Sequence, residues 1–460
     1  MRAHGIRSYH RPGRLEEALA LAAQGAVPVG GGTRIFAAEG AVPNLLDLQA
    51  LNLSTISSED GDLHLGASVT LQDVIDAEAA WAGTAGLLPA ACQAQSPSRM
   101  VRGMATLAGE SVFGAETSEV AAALLALNAV FVSAHPDEPR ESPALRFLRQ
   151  PKDDLGGGGL VERIFIPGAP DGAALERASL LPTAPALVAV AVTVAFSGEK
   201  CSRARIALAG LDGRPARFLD AEAQVERTSA DEEALGRAAE QAALLAPVRG
   251  DAMAGADYKR HLVRVLTLRA LRRALHQARE GQSPERKPLR PRPTQRGVSP
   301  LPYFTSGRLE LSVNGRPLRA EAEARTTLVE LLRREGLHGA KDACGTGQCG
   351  ACTVLLDGRP VNSCLTLAVR AHGRSVQTVE GLQTRSASSI PAVFAEAGAL
   401  HCGFCAPAME LSVKALVDRA PNPTEDEARD ALAGCLCPCT GYVRPLAAVA
   451  QAVASRKAAP

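Results

Sequence analysis

Cysteine spacing is the feature that most limits what this 460-residue chain can fold into. Eight of its eleven cysteines lie between residues 344 and 439, in two groups of four. Each group brings four thiols to one point. The fold must therefore build loops and helix ends around two small inorganic centres. The first group is Cys344, Cys349, Cys352 and Cys364, and the second is Cys402, Cys405, Cys437 and Cys439.

The first group has the C-x4-C-x2-C spacing, with a fourth cysteine downstream, that is typical of plant-type 2Fe–2S clusters. Gly345, Gly347 and Gly350 stand among these cysteines. Glycine lets the backbone approach a cluster closely and point N–H groups at its sulfur atoms. Residues 353–360 predict a strand and a turn that bring Cys364 back to the other three thiols. The sequence therefore predicts a 2Fe–2S site.

The second group consists of a C-x2-C pair and a C-x-C pair, and each pair lies beside a predicted helix. Two helix–turn units can hold one further 2Fe–2S cluster between them. Cys435 is an additional thiol here, either a substitute ligand or a buried neighbour. Two adjacent one-electron centres indicate electron transfer.

Zinc and disulfide bonds are the alternative uses of these thiols. Zinc knuckles favour C-x2-C pairs, which the C-x4-C-x2-C spacing of the first group does not match. Disulfides belong to oxidising compartments, whereas thiolates kept for iron suit a reducing one. A zinc-bound structural protein remains an alternative that metal analysis would test.

Composition excludes several function classes. The formal net charge is +1, from 50 basic and 49 acidic side chains, so no nucleic-acid or membrane-surface role is expected. We find no secretion signal at the start and no apolar run near the ~20 residues of a membrane span. A cytoplasmic protein is predicted, and the chain length suggests three or four domains.

Hydrophobic periodicity and turn residues predict the main elements. Helices are expected at Leu15–Ala23, Val120–Val130, Tyr258–Leu275, Thr326–Arg334, Phe394–Ala397 and Met409–Val417, and another after Thr424 with Glu427 completing a capping box. Strands are expected at Leu63–Ala67, Arg205–Gly210 and Leu309–Val313, the last followed by an Asn314–Gly315 turn. The Pro- and Arg-rich residues 277–307 predict either an extended tether or an ordered irregular loop.

Residues 308–460 resemble the two-cluster small subunit or domain of the molybdenum hydroxylases, the family of xanthine dehydrogenase and aldehyde oxidase. The matching motifs are CGTGQCGACTV, HCGFCAPAM, CLCPCTGY and TVEGL. The resemblance implies a β-grasp ferredoxin-like domain and then a helical bundle, with the first cluster facing a flavin and the second a molybdopterin. His401 stands where the family has a pterin-contacting Gln, so it is either a pterin contact or an interface histidine.

Residues 4 to about 275 resemble the FAD-binding medium subunit of the same family. The motifs are GGGTRI, PNLLDL, LGASVT, TLAGE and ERIFIP. Consecutive glycines at residues 30–32 can form a backbone nest for a diphosphate. The resemblance implies that FAD contacts Val29, Gly30, Gly31, Gly32, Thr33, Arg34, Thr106, Gly109, Glu110 and Glu119.

Some of these positions depart from the family pattern. Ala108 replaces a glycine, and Glu110 puts a carboxylate where the family has an amide, which is unfavourable beside a diphosphate. Arg34 replaces an Asp and can pair with phosphate. Retained FAD is expected, and a flavin-free iron–sulfur scaffold subunit is the alternative.

The predicted fold is α+β and multidomain, and the predicted function is electron transfer. We expect the chain to relay electrons from a separate molybdopterin-binding large subunit, through two 2Fe–2S clusters, to FAD and then to NAD+ or another acceptor, within a hetero-oligomer. No residue of this chain is expected to be catalytic. The predicted domains are an FAD-binding PCMH-type domain (1–168), a flavoprotein C-terminal α+β domain (169–276), a linker (277–307), a ferredoxin-like 2Fe–2S domain (308–384) and a helical 2Fe–2S domain (385–460).

Overall fold

A computed structural model describes residues 5–37, 42–114, 117–181, 184–281, 298–382, 389–439 and 441–458. The chain divides into two compact units, and each unit is discontinuous in sequence. The first unit comprises Met1–Asn52, Pro97–Ala105 and Leu289–Pro460. The second unit comprises Leu53–Ser96 and Thr106–Pro288.

The described residues contain strands of two to ten residues. In chain order they are β1 Ser8–Arg11, β2 Val27–Val29, β3 Asn44–Asp47, β4 Ile56–Glu59, β5 Asp62–Gly66, β6 Val130–Ala134, β7 Arg140–Pro143, β8 Leu160–Ile166, β9 Gly172–Ala178, β10 Val188–Ser197, β11 Lys200–Ala209, β12 Ala216–Arg217, β13 Leu301–Phe304, β14 Ser306–Val313, β15 Arg316–Glu323, β16 Thr353–Leu356, β17 Arg359–Asn362 and β18 Ser375–Gln377.

The α-helices range from single turns to one of 25 residues. In chain order they are α1 Leu15–Ala23, α2 Leu71–Asp76, α3 Glu78–Gly83, α4 Leu87–Gln95, α5 Arg99–Arg102, α6 Leu107–Phe113, α7 Glu119–Ala126, α8 Ala144–Phe147, α9 Pro151–Asp154, α10 Leu219–Glu222, α11 Glu232–Leu245, α12 Ala256–Glu280, α13 Leu328–Arg334, α14 Ile390–Glu396, α15 Ala406–Arg419, α16 Glu425–Leu432 and α17 Val443–Ala458. None of the helices in the described ranges is long and apolar enough to span a lipid bilayer.

The first unit contains a five-stranded β-grasp sheet, in the order β15-β14-β18-β16-β17. The β14–β15 hairpin turns at Asn314 and Gly315, whose φ angles are +52° and +78°, so the predicted Asn-Gly turn is confirmed. Helix α13 begins at Leu328, and Thr327 caps it in a capping box with Glu330. The helix was thus predicted to begin two residues too early, because adjacent threonines compete as caps.

A second sheet of the first unit joins chain segments that are far apart in sequence, in the order β13-β1-β3-β2. Strand β13 pairs antiparallel with β1, and β1 pairs parallel with β3. Leu301–Phe304 is therefore part of a sheet, although the sequence predicted only a tether or an irregular loop there. Residues 282–297 of that predicted linker lie outside the described residues.

Helices α14–α17 form the helical part of the first unit. Their apolar faces share a core that includes Phe394, Met409 and Leu432. Thr424 and Glu427 make the predicted capping box at the start of α16. This bundle places two pairs of cysteines at helix ends.

The second unit contains two sheets, ordered β4-β5-β8-β6-β7 and β12-β11-β10-β9. Alternate residues of β10 and β11 share a core with α11 and α12, as the period of two in a strand requires. Helix α7 was predicted to reach Val130 but ends at Ala126. Asn128 has φ +54°, a left-handed conformation that ends the helix and lets β6 begin at Val130.

Candidate iron–sulfur and flavin sites

The first cysteine group lies between α13 and the end of β17. Cys344, Cys349 and Cys352 occupy the loop before β16, and Cys364 lies in a short 3-10 turn after β17. The neighbouring Cys344 and Cys352 thiols raise the pKa of Cys364, and burial together with Cys344 raises the pKa of Cys349, so the four side chains lie near one another. All four predicted ligands are therefore brought together, and Cys352 and Cys364 are buried.

The backbone around this group suits thiolate ligands. The Thr346 N–H donates to Cys344 Sγ at 3.4 Å, and the Cys364 N–H lies 3.5 Å from Cys352 Sγ. Hydrogen bonding from Cys364 lowers the pKa of Cys344 to about 3, which favours the thiolate. A Cβ on Gly347 would lie 2.4 Å from Leu365 Cδ1, so the loop can wrap this tightly only with glycine there. An all-thiol donor set in a close-fitting loop fits a 2Fe–2S cluster.

The second cysteine group lies at the helix ends of the bundle. Cys439 Sγ is 3.4 Å from Cys402 Sγ. Burial, and after it the neighbouring Cys437 thiol, raise the pKa of Cys405 to about 12, so these two side chains also lie near each other. Two pairs of thiols suit a binuclear cluster, because each of its irons takes two thiolates. No three or more His, Cys, Asp or Glu side chains surround a single-ion position anywhere in the described part of the chain.

The two cysteine groups are joined by the backbone before Cys437. The Leu436 N–H donates to the carbonyl of Cys349 at 2.9 Å. A Cβ on Gly350 would lie 2.1 Å from the Gly434 carbonyl oxygen, so the two segments touch backbone to backbone. Cys435 is buried beneath the first group, 3.7 Å from Ser412 Oγ. Burial raises the pKa of Cys435 to about 12, which favours the protonated thiol, and its role as a substitute ligand or a buried neighbour stays a prediction.

Burial differs sharply between the two groups. Cys402 and Cys439 are exposed, in contrast to the largely enclosed first group. Four apolar side chains near the second group in sequence are exposed as well. They are Leu400 (42%), Phe404 (43%), Leu436 (55%) and Val443 (73%). His401 is also exposed on this segment.

The predicted flavin contacts at residues 29–34 lie in the first unit. Val29 ends β2, and residues 30–34 form the loop that follows, including Thr33 and Arg34 in a turn. A Cβ on Gly31 would lie 1.7 Å from the Met104 carbonyl oxygen, and Gly32 has φ +78°. Both positions therefore demand glycine, and the loop forms a close-fitting backbone cradle.

The predicted flavin contacts Thr106, Gly109, Glu110 and Glu119 belong to the second unit. Thr106 caps α6 by accepting the Gly109 N–H at 3.2 Å. Glu110 is buried in the first turn of α6, where the helix dipole favours a carboxylate. Glu119 is buried and lies 3.0 Å from Arg177. Burial raises the pKa of Glu119 while the Arg177 charge opposes that shift.

Sequence reasoning missed two buried arginine–aspartate sites in the first unit. Arg370 pairs with Asp47 at 2.9 Å, and both side chains are almost fully buried. Arg99 and Arg102 both pair with Asp430, at 2.7 and 2.5 Å. Asp47 was noted only as part of the PNLLDL motif, and nothing in the local pattern pointed to its distant partner.

Four domain-family models match the chain in succession. They are the FAD binding domain in molybdopterin dehydrogenase over residues 4–169, the CO dehydrogenase flavoprotein C-terminal domain over 178–274, the 2Fe-2S iron-sulfur cluster binding domain over 311–375 and the 2Fe-2S binding domain over 378–450. These matches favour FAD over the flavin-free alternative and iron–sulfur clusters over zinc.

The iron–sulfur part is similar to curated small subunits. The chain is 42% identical over 137 residues to the xanthine dehydrogenase iron-sulfur-binding subunit of Escherichia coli, covering 29% of this chain and 86% of that protein. It is 42% identical over 147 residues to the nicotinate dehydrogenase small FeS subunit of Eubacterium barkeri, covering 32% and 94%.

Solved structures are similar to more than half of the chain. A chain of carbon monoxide dehydrogenase from Hydrogenophaga pseudoflava matches at 26% identity with a TM-score of 0.56, covering 59% of this chain and 98% of that one. A chain of quinoline 2-oxidoreductase from Pseudomonas putida 86 matches at 25% identity with a TM-score of 0.54, covering 59% and 97%. The α+β multidomain fold is thus confirmed. The chain belongs to the molybdenum hydroxylase family, as an electron-transfer oxidoreductase component that carries the FAD-binding and the 2Fe–2S domains in one polypeptide.

Proposed function

We propose that this chain receives electrons from a separate molybdopterin-binding large subunit and passes them to NAD+ or another acceptor, in a cytoplasmic hetero-oligomer. The observation that carries the proposal is the contrast in burial between the two cysteine groups. The first group is enclosed by its own chain, whereas the second presents two exposed thiols, Cys402 and Cys439. Exposed ligands flanked by exposed apolar side chains suit a surface that a partner covers.

The eight cysteines are proposed as the ligands of two clusters. In the first group, the thiol contacts and backbone N–H groups would hold one 2Fe–2S cluster. In the second group, Cys402, Cys405, Cys437 and Cys439 would hold the other cluster. When bound, such clusters transfer single electrons, and FAD can accept them singly and release them as a pair.

A backbone hydrogen bond connects the two groups that this relay would use. Leu436 precedes the proposed ligand Cys437, and its N–H donates to the carbonyl of the proposed ligand Cys349. One hydrogen bond therefore links the main chain of Cys349 to the residue before Cys437. The absence of a side chain at Gly350 keeps this approach short.

The proposed flavin contacts are Val29, Gly30, Gly31, Gly32, Thr33, Arg34, Thr106, Gly109, Glu110 and Glu119. The glycine loop would supply N–H donors, and Arg34 a cation, to the diphosphate. Glu119 stays on the ribose side with Arg177 as its counter-ion. The proposed domains are 1–168, 169–276, 308–384 and 385–460, and the order of the four successive family matches supports their order. The predicted linker 277–307 is corrected at both ends, because α12 runs to Glu280 and Leu301–Phe304 forms β13.

Assembly with the large subunit tests the proposal directly. The full chain is co-expressed with a molybdopterin-binding subunit of the same family from the same genome, and the complex is measured by gel filtration. We expect Phe404→Asp and Leu436→Asp to abolish the complex while cluster absorption is retained, since a charge would be buried at the interface. Leu244→Asp is the control, because Leu244 is also exposed (74%) but lies on α11. Unchanged assembly of both variants would contradict the proposed partner surface.

A further inference from the structure

Arg370 lies in a short 3-10 turn six residues after the proposed ligand Cys364, and its side chain is only 3% exposed. A buried guanidinium must satisfy its N–H donors internally, because unpaired buried polar groups are costly. The partners of Arg370 come from chain segments more than 300 residues earlier.

Two of these partners are backbone carbonyls of the glycine loop. Arg370 Nη2 donates to the Gly30 carbonyl at 2.5 Å, and Nη1 donates to the Gly31 carbonyl at 3.2 Å. In a trans peptide the N–H points opposite to the carbonyl of the same unit. The N–H groups of Gly31 and Gly32 are therefore turned away from Arg370. This is the direction in which a backbone nest presents its donors to an anion.

Asp47 holds Arg370 in this position. Its carboxylate accepts from Arg370 Nε at 2.9 Å and from the Tyr9 hydroxyl at 2.6 Å. The Gln49 N–H donates to the other carboxylate oxygen at 3.0 Å. Asp47 is almost fully buried, so the pair adds no net charge near the loop. The arginine thus acts on the loop through directed hydrogen bonds.

The other side of the loop is fixed by packing. The Met104 carbonyl lies so close to Gly31 that no Cβ would fit between them. Met104 Sδ in turn accepts the N–H of Asn362, two residues before Cys364, at 3.3 Å. The loop is therefore clamped between Arg370 and a segment that is itself tied to the first cysteine group.

We propose that Arg370 is a positioning residue for the FAD diphosphate: it turns the peptide units at Gly30 and Gly31 so that their N–H groups face the ligand. FAD affinity then depends on the ferredoxin-like part being folded around its own site. This inference rests on the proposed role of the glycine loop in binding FAD. It deepens that role by making an iron–sulfur-domain residue part of the flavin site.

The test measures FAD binding to the purified full chain after removal of its flavin. FAD is titrated and followed by quenching of its fluorescence, while iron content and cluster absorption are recorded on the same samples. We expect Arg370→Gln to raise the Kd for FAD about tenfold or more, because two charge-assisted hydrogen bonds to the loop are lost. Arg370→Lys, which reaches fewer acceptors, should lie between Arg370→Gln and wild type.

Two further variants separate positioning from general loss of stability. The double variant Asp47→Asn with Arg370→Gln removes both charges, so no unpaired buried ion is left, and it should fold yet still bind FAD weakly. Arg374→Gln is the matched control: Arg374 is similarly buried, but it donates to Asp357 and Gln49. It should bind FAD like wild type even where its melting temperature falls.

The possible outcomes separate the proposed flavin function from the proposed positioning role of Arg370. If wild-type protein with intact clusters takes up no FAD, the proposed flavin function is wrong. If wild type binds FAD and Arg370→Gln binds it equally well, the positioning role is wrong while the flavin function stands. Equal weakening by Arg374→Gln and Arg370→Gln would also overturn the inference, since a merely structural role predicts that result.

Discussion

Replacing Asp430 by Ala removes the shared anion of two buried arginines. Asp430 on α16 accepts from Arg102 at 2.5 Å and from Arg99 at 2.7 Å. The arginine side chains are 1% and 6% exposed, and that of Asp430 is 19% exposed. Arg102 also donates to the Pro97 carbonyl, so the pair ties α16 to the segment Pro97–Ala105 within the first unit.

The expected loss of stability in Asp430→Ala follows from the burial of the ion pairs. Removing one partner of a buried ion pair typically destabilises by 3–5 kcal/mol, because the remaining charge is left without compensation. The partial exposure of Asp430 lowers this, so we expect a loss of about 3 kcal/mol in the free energy of unfolding. Burial alone would raise the pKa of Asp430, but the charges of Arg102 and Arg99 outweigh it and hold the pKa below its usual value.

The sign of that shift fixes the pH dependence. A carboxyl group with a lowered pKa stabilises the fold above its unfolded pKa, and that contribution is lost as the pH falls through the folded pKa. The difference between wild type and Asp430→Ala should therefore be constant near pH 7 and shrink below about pH 4.

Urea denaturation of the full chain, followed by cluster absorption, measures this effect. Glu425→Gln is the control, because Glu425 pairs with Arg429 on the same helix but both side chains are largely exposed. Its cost should stay below about 0.5 kcal/mol. If Asp430→Ala costs no more than Glu425→Gln at pH 7, the reasoning from burial is refuted.

Three further predictions concern the surroundings of the clusters. Gly350→Ala places a methyl group 2.1 Å from the Gly434 carbonyl oxygen, at a residue whose φ is +68°. We therefore expect it to lower the free energy of unfolding in urea by at least about 2 kcal/mol. A loss below about 1 kcal/mol would contradict the close approach. Burial raises the pKa of Glu410 to about 7, so the fold loses stability as the pH rises from about 4.5 towards 7. Glu410→Gln avoids this loss, and its stability advantage over wild type should grow by about 2 kcal/mol between pH 5 and pH 8, whereas a pH-independent difference would refute the assignment. Cys435→Ser should retain both cluster signals in paramagnetic resonance while Cys352→Ser loses one, and loss of a signal in Cys435→Ser would make Cys435 a ligand.

The local features of the fold were largely predictable from the sequence. Helix α1 has the bounds that its periodicity indicated, and the Thr424 capping box and the Asn314–Gly315 turn formed as expected. These features depend on residues within a few positions of one another, so short-range rules are enough. Cysteine spacing likewise placed two groups of thiols, because ligand chemistry restricts which spacings close around a cluster.

Long-range contacts were not predictable in this way. Arg370 and Asp47 are 323 positions apart, and Arg102 and Asp430 are 328 apart. No periodicity or turn rule connects such residues, and an arginine is usually exposed. The end of α7 at a left-handed Asn128 was missed for a related reason, since the apolar pattern continues unbroken from the helix into β6. Contacts between distant segments of the chain determine the burial of these arginines and the end of α7.

Low-temperature paramagnetic resonance of the dithionite-reduced full chain, with iron and flavin determined on the same sample, tests the central claim most directly. We predict about four irons per chain, two distinct cluster signals of equal integrated intensity, and one FAD that acid releases. A single cluster signal, or zinc without acid-labile sulfide, would contradict it.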